Sequence, residues 1–355
     1  MHMFQEKIEA WLSRRAPERA LNQCFDLSAV LATDIGIQRT ENQDRVAALR
    51  INAKTPSGRP LIAVAVADGM GGMRDGGKCA TLALSSFFYA LMLYRNYEIE
   101  KRANAAISHA NDAVFRFAGG KGGATLSAIV LGQEARPFIV HLGDSRIYSF
   151  GGGANVKRLT TDDSLAEAVG GHGRDLLQFV GMGEGMQPHV KPIPGDTQQL
   201  AITTDGIHFI ESVTLEKVLI HSTGLKPASE RLAALARWCG GPDNASSALI
   251  DLPSIVREIR NDTDTTIELW DPFGSLTAMW IRADIPPAED RQASADTFEN
   301  AKPKLTNAEP DHSKRKPPPK KPKRNKEDRQ PKEDIQLEIQ IERSADPEEA
   351  DENNR

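Results

Sequence analysis

The chain has 355 residues, of which 39% are hydrophobic and 26% charged, with a formal net charge of −5. That length suits one domain of about 250 residues with appendages, and so mild a charge implies no nucleic-acid or membrane partner. Cys24, Cys79 and Cys239 lack the paired spacing of a zinc site or a disulfide framework, and no signal peptide or bilayer-spanning apolar run is visible, so the reading is a cytoplasmic protein without a membrane span.

In chain order, Phe4, Ile8, Trp11 and Leu12 recur at helical spacing and predict an amphipathic helix within residues 4–20, making 1–27 an N-terminal helical extension. A strand is expected over 28–37. The apolar runs 45–51 and 61–67 read as a hairpin across a polar loop with Pro56-Ser57-Gly58 turn chemistry. The second run is small, valine-rich and apolar throughout, the pattern of a strand buried on both faces. It ends on Asp68, then Gly-Met-Gly-Gly. Two helices are expected over 76–94 and 98–117, and strands over 124–132, 138–142 and 146–150.

Residues 161–195 are glycine-rich and read as a surface loop with a short helix near 174–180. A strand over 200–204 ends on Asp205-Gly206. A helix over 227–239 leads to Asp243 and a strand over 247–252, and a last hairpin is expected over 265–270 and 276–283. The domain is placed at 28–285.

From residue 286 Pro, Lys, Glu, Asp and Asn dominate, so 286–355 is read as a disordered charged tail that cannot form a packed core. Its basic run 314–326 has no interleaved aromatics, which argues against base stacking and a nucleic-acid role. Within it Ile335, Leu337, Ile339 and Ile341 alternate with Gln336, Glu338 and Gln340. One face of 335–341 would be wholly apolar, the pattern of a strand that docks on a sheet edge, its own or a partner's.

The acidic turns carry the chemistry. Asp44, Asp68, Asp205 and Asp243 each lie beside an apolar strand-like run, and Asp144 makes a fifth. A carboxylate at the tip of a buried strand needs a counter-charge, and glycines let main-chain carbonyls approach the same point. Carboxylate and carbonyl oxygens without His or Cys at ligand spacing favour Mg2+ or Mn2+ over zinc.

Six blocks follow in order: Arg39-x-x-Asn42-Gln43-Asp44, Asp68-Gly69-Met70-Gly71-Gly72, Gly123-Ala124-Thr125, Gly143-Asp144-Ser145-Arg146, Thr204-Asp205-Gly206 and Asp243-Asn244-Ala245-Ser246. Together, over about 28–252, they resemble the metal-dependent type-2C Ser/Thr protein phosphatases (the PPM family) in a bacterial style. The resemblance implies an α+β fold, a four-layer α-β-β-α sandwich of two antiparallel sheets flanked by helices. It implies that Asp68 bridges two Mn2+ or Mg2+ ions, one of them also bound by the Gly69 carbonyl. Asp205 and Asp243 would complete one ion's ligands, Asp44 would support the other, and Arg39 would grip the substrate phosphate. Thr125 and Asn244 would support the ligands. Hydroxide held between the ions would attack phosphoserine or phosphothreonine in line. The implied partners are a phosphorylated protein substrate and a cognate Ser/Thr kinase.

Asp144 matches the carboxylate that holds a third, weaker ion in many family members, but Phe209 stands where the family places a further aspartate. The expectation is therefore poor binding of a third ion. A second class of function remains: a catalytically weak or inactive phosphatase-fold protein that senses phosphoproteins. The complete carboxylate set favours the working enzyme.

Overall fold

The structure is a computed structural model that describes residues 2–52, 59–70, 75–133, 136–170, 175–259, 266–281 and 336–343. Most of the expected tail, Gly71-Gly72 and the turn at 56–58 lie outside the described residues. The chain forms two compact units, Met1–Met279 with Ile339–Arg355, and Trp280–Glu338. The second is described only at its two ends, where strands finish and begin.

The elements are α1 (His2–Leu12), β1 (Arg19–Cys24), β2 (Ala29–Asp34), β3 (Arg45–Ile51), β4 (Leu61–Ala67), α2 (Gly76–Leu93), α3 (Ile99–Ala118), β5 (Leu126–Gly132), β6 (Phe138–Leu142), β7 (Arg146–Gly151) and β8 (Ala154–Arg158). There follow α4 (Leu165–Val169), β9 (His189–Pro192), β10 (Gln199–Thr203), α5 (Asp205–His208), α6 (Ser212–His221), α7 (Leu225–Trp238), β11 (Ala245–Asp251), α8 (Leu252–Arg257), β12 (Thr266–Asp271), β13 (Gly274–Ile281) and β14 (Gln336–Arg343).

Two sheets result, in the orders β1-β2-β11-β10-β7-β8 and β14-β13-β12-β3-β4-β5-β6-β9. Every described pairing is antiparallel. Alternation along each strand sends one set of side chains between the sheets and the other under a helix layer. In β4, Ile62, Val64 and Val66 enter the inter-sheet core with Leu31, Ile129, Ile202 and Ile250. Leu61, Ala63, Ala65 and Ala67 are equally buried on the opposite face, and α2 covers β3 and β4. Ile62→Ala at this centre would cost about 2–5 kcal/mol, because packed neighbours collapse only partly into the gap. On the other sheet α7 packs on β2 and β11, burying Ala228, Leu232 and Ala236 with Ala201 and Leu249. The expected four-layer α+β sandwich is thus present.

Several local expectations change. The first helix stops at Leu12, and Arg19–Cys24 is instead a strand on β2. Arg14 holds Asp271 through both guanidinium nitrogens, at 2.5 and 2.8 Å, and lies over the Trp11 ring, fixing this extension to the β12–β13 hairpin. No helix forms among the described residues 175–180. The nearby helix is α4, capped by the Ser164 hydroxyl, while Leu176 and Val180 make single bridges to Ser164 and Ala124. By length and composition α2 could cross a bilayer, but 83% of its apolar window is buried inside the fold, which marks a core helix.

Candidate active site

Strand register gathers the acidic turns. Arg45 pairs with Ala67 across β3 and β4, so Asp44 just before one strand and Asp68 just after the other lie at the same end of one sheet. In the facing sheet Thr203 pairs with both Arg146 and Ser247, which brings Asp205, Asp144 and Asp243 to one end. Arg39, Asp68, Gly69, Asp144, Asp205 and Asp243 line a single cavity of about 160 Å3. Gln43, Met70, Thr125 and Leu176 complete its wall. Asp44 is buried behind the wall.

Each ligand candidate is held by its surroundings. The Asp68 amide donates to Thr125 Oγ1 at 3.0 Å, and its carbonyl accepts the Thr125 amide at 2.8 Å. Thr125 Oγ1 in turn shares a hydrogen bond of 2.7 Å with Ser145. A Cβ at Gly69 would fall on the Gly76 carbonyl oxygen, so only glycine fits this turn. Asn244 organises the 35–43 segment: its Oδ1 accepts the Gln43 amide at 2.8 Å, and its Nδ2 donates to the carbonyls of Ile35 and Glu41.

The electrostatics call for cations. Among the described residues no three His, Cys, Asp or Glu side chains are drawn together into a ready-made ligand cluster, yet the carboxylates act strongly on one another. Burial pushes Asp68 well above the carboxylate range, and Asp44, Asp205, Asp144 and Asp243 push it further. Burial likewise raises Asp44 to about 7, against hydrogen bonds from Ser246 and Thr204 and with Asp205 and Asp243 adding to the rise. Asp144 also reaches about 7, from burial and then Asp205 and Asp162. Asp44 Oδ2 accepts from Thr204 Oγ1 at 2.9 Å, while its buried Oδ1 has no hydrogen-bond partner. A buried carboxylate oxygen left without a donor is costly, and a hard divalent cation with an oxygen shell satisfies it. The residues present therefore fit such ions.

Histidine takes no part in this set. His141 is buried between Ser127 and the Thr161 carbonyl, at 2.8 and 2.9 Å, and His208 is buried beside Thr203. Arg39 reaches in from the rim, its Nη2 donating to Asp243 Oδ2 at 2.6 Å. Gln43, Met70 and Thr204 stand within the motif blocks, though nothing in the Thr204 block announces that its hydroxyl is spent on Asp44. Leu176 gives no chemical signal of its own.

Comparison with known proteins gives the family. The family model described as protein phosphatase 2C matches residues 37–250, so the chain belongs to the protein phosphatase 2C (PPM) family. The PPM Ser-Thr phosphatase MsPP from Mycobacterium smegmatis, solved with cacodylate, is 26% identical, with a TM-score of 0.53 over 63% of this chain and 98% of that one. The catalytic domain of the serine threonine phosphatase PstP, solved with 2 manganese ions, is 24% identical, with a TM-score of 0.51 over 66% and 98%. The S. agalactiae serine/threonine phosphatase is 24% identical, with a TM-score of 0.52 over 62% and 97%. No curated protein matches. Family membership makes this a metal-dependent phosphatase fold; α1, β1, β2 and the elements after β11 lie outside the matched span.

Proposed function

We propose that the chain is a working, cytoplasmic protein phosphatase that hydrolyses phosphoserine or phosphothreonine using two divalent ions, Mn2+ or Mg2+. In this reading Asp68, the Gly69 carbonyl, Asp205 and Asp243 hold the ions, and Asp44 supports them. The supporting observation is the convergence of four aspartates from two sheets, Asp68, Asp144, Asp205 and Asp243, on one cavity, with a fifth, Asp44, buried beside them and one of its oxygens undonated.

When bound, such ions supply a nucleophile from water near neutral pH and offset charge at phosphorus. The chain's own residues do the rest. Arg39 presents a planar, permanently charged fork to the phosphate oxygens, which it can do by turning from Asp243, since its side chain is 40% exposed. Thr125 fixes the Asp68 backbone and Asn244 the Arg39 segment, so neither has to reorganise during the reaction. No side-chain nucleophile is needed: Cys24 and Cys79 are buried, and burial raises both thiols, to about 12 and about 11. The substrate would be a phosphoprotein, and the opposing activity a Ser/Thr kinase.

The deciding experiment is phosphate release from a phosphothreonine peptide with Mn2+ and with chelator. Release that needs the ion supports the enzyme. Peptide binding without turnover would instead make the chain a phosphoprotein sensor.

A further inference from the structure

The loop after β8 carries consecutive aspartates, Asp162 and Asp163, that belong to none of the motif blocks. Both are buried, and they grip opposite ends of the turn that presents Asp144. Asp162 receives Arg146 at 2.7 Å and Arg158 at 2.6 Å. Asp163 Oδ2 accepts the Gly143 amide at 2.9 Å, and the Asp163 amide donates to the Gly143 carbonyl at 2.8 Å. Gly143 has φ of +105°, and a Cβ there would press on Thr125, the residue that holds the Asp68 backbone. The turn is therefore fixed at both ends and beneath.

Asp163 also reaches the opposite wall of the cleft. Its Oδ1 lies 2.8 Å from His189 Nε2 and accepts from Gln178 Nε2 at 3.2 Å, while its carbonyl accepts the Leu177 amide at 2.7 Å. Leu176, the next residue back, lines the cavity with Asp144. Both carboxylate oxygens and both backbone polar groups of one buried residue thus join the 143–144 turn, the 176–178 segment and β9. An amide in place of this carboxylate has one acceptor atom where three donors converge.

We propose that Asp163 is a positioning residue: it holds Asp144 in place at the cavity and Leu176 at its wall, touching neither substrate nor ion. The proposal rests on the phosphatase reading. The turn that Asp163 fixes also carries Ser145, which bonds Thr125 beneath the Asp68 backbone. Misplacing a reacting group by about 1 Å costs on the order of a hundredfold in rate, so a buried strut of this kind has kinetic weight.

The test compares Asp163→Asn, Gln178→Ala and His189→Phe in the full chain with Mn2+, on an aryl phosphate and on a phosphothreonine peptide. His189→Phe keeps a ring to stack on His141, 5.8 Å away, but loses the bond to Asp163. Asp163→Asn should lower kcat on both substrates about ten- to hundredfold. Gln178→Ala loosens the Leu176 wall and frees the Gln187 amide, while leaving the bonds of Asp163 to Gly143 in place. It should raise KM for the peptide about three- to tenfold, the weight of one hydrogen bond, with the aryl phosphate unaffected. A mere loss of folded protein lowers kcat for both substrates and cannot produce that selective KM change. Should Asp163→Asn fail to fold, the other two carry the test, with a lowered kcat expected for His189→Phe. Variants that behave as an active wild type overturn this role alone. A wild type without metal-dependent turnover overturns the phosphatase reading as well.

Discussion

Arg39 Nη2 and Asp243 Oδ2 lie 2.6 Å apart at the mouth of the cleft, so the candidate phosphate clamp is paired with a candidate metal ligand. The pair is partly exposed, with 40% and 19% of the two side chains accessible, and such pairs add about 0–1 kcal/mol to stability. Its interest is functional: the arginine is kept oriented at the point where phosphate would enter.

Arg39→Ala should therefore leave the melting temperature nearly unchanged and act on substrate. A charge-assisted bond to phosphate is lost while the carboxylates remain, so KM should rise about tenfold or more with a smaller change in kcat. Steady-state kinetics on a phosphopeptide would check this. A large fall in kcat at unchanged KM would instead place Arg39 in transition-state stabilisation alone.

Acid stability should depend on His141. Burial, and then the neighbouring His189, hold its pKa down to about 4 from 6.5, against the Thr161 carbonyl, Asp163 and Asp162. The unfolded chain then binds the extra proton, so this contribution is present above about 6.5 and is lost as pH falls towards 4. The raised Asp44 and Asp144 act oppositely in metal-free protein, losing stability as pH rises towards 7. Urea midpoints of wild type minus His141→Gln isolate the histidine: the difference should shrink as pH drops from 7 to 4.5. A difference independent of pH would show that His141 protonates freely in the fold.

A third ion should bind poorly. Phe209 follows α5 with 38% of its surface exposed and supplies no oxygen to a cation on Asp144. Crystals soaked in high Mn2+ should show little density there, and Phe209→Asp should raise the occupancy. A well-occupied third ion in the wild type would contradict this.

The C-terminal strand should be protected from exchange. Ile339–Arg343 of β14 belongs to the first unit, and β14 stands at the edge of the larger sheet, next to β13. Amide exchange over 336–343 should be slower than over 286–330. Leu337→Lys, which charges one side of the alternating segment, should remove the difference. Equal exchange across the tail would mean that the strand does not dock.

Much of the site was legible because its residues break a local pattern. Asp68 stands out as a charge closing an all-apolar strand, and Asp205-Gly206 repeats the device. Convergence itself was not legible, since antiparallel register decides which strand ends meet. The residues that fix the turns were also hidden. Asp162 and Asp163 sit in LTTDDS, which reads as an ordinary polar loop, and Leu176 matters only through what it touches. The α6 helix escaped because SVTLEKVLIH is rich in β-branched residues, and it is stabilised by burying Leu215 and Leu219 rather than by propensity. Strand β1, RALNQC, is polar and only half-buried; its place on β2 is set by backbone pairing that composition does not announce.

The central claim is that the carboxylates around Asp68 make a two-ion phosphatase site. It is tested most directly by inorganic phosphate release from a phosphothreonine peptide in Mn2+, comparing wild type, Asp68→Asn and Asp205→Asn, with bound manganese measured on the same samples. The account predicts turnover in the wild type that chelator abolishes. It predicts a fall of at least about a hundredfold, with reduced manganese content, in both variants. Near-wild-type turnover in either variant with its manganese still bound would contradict it.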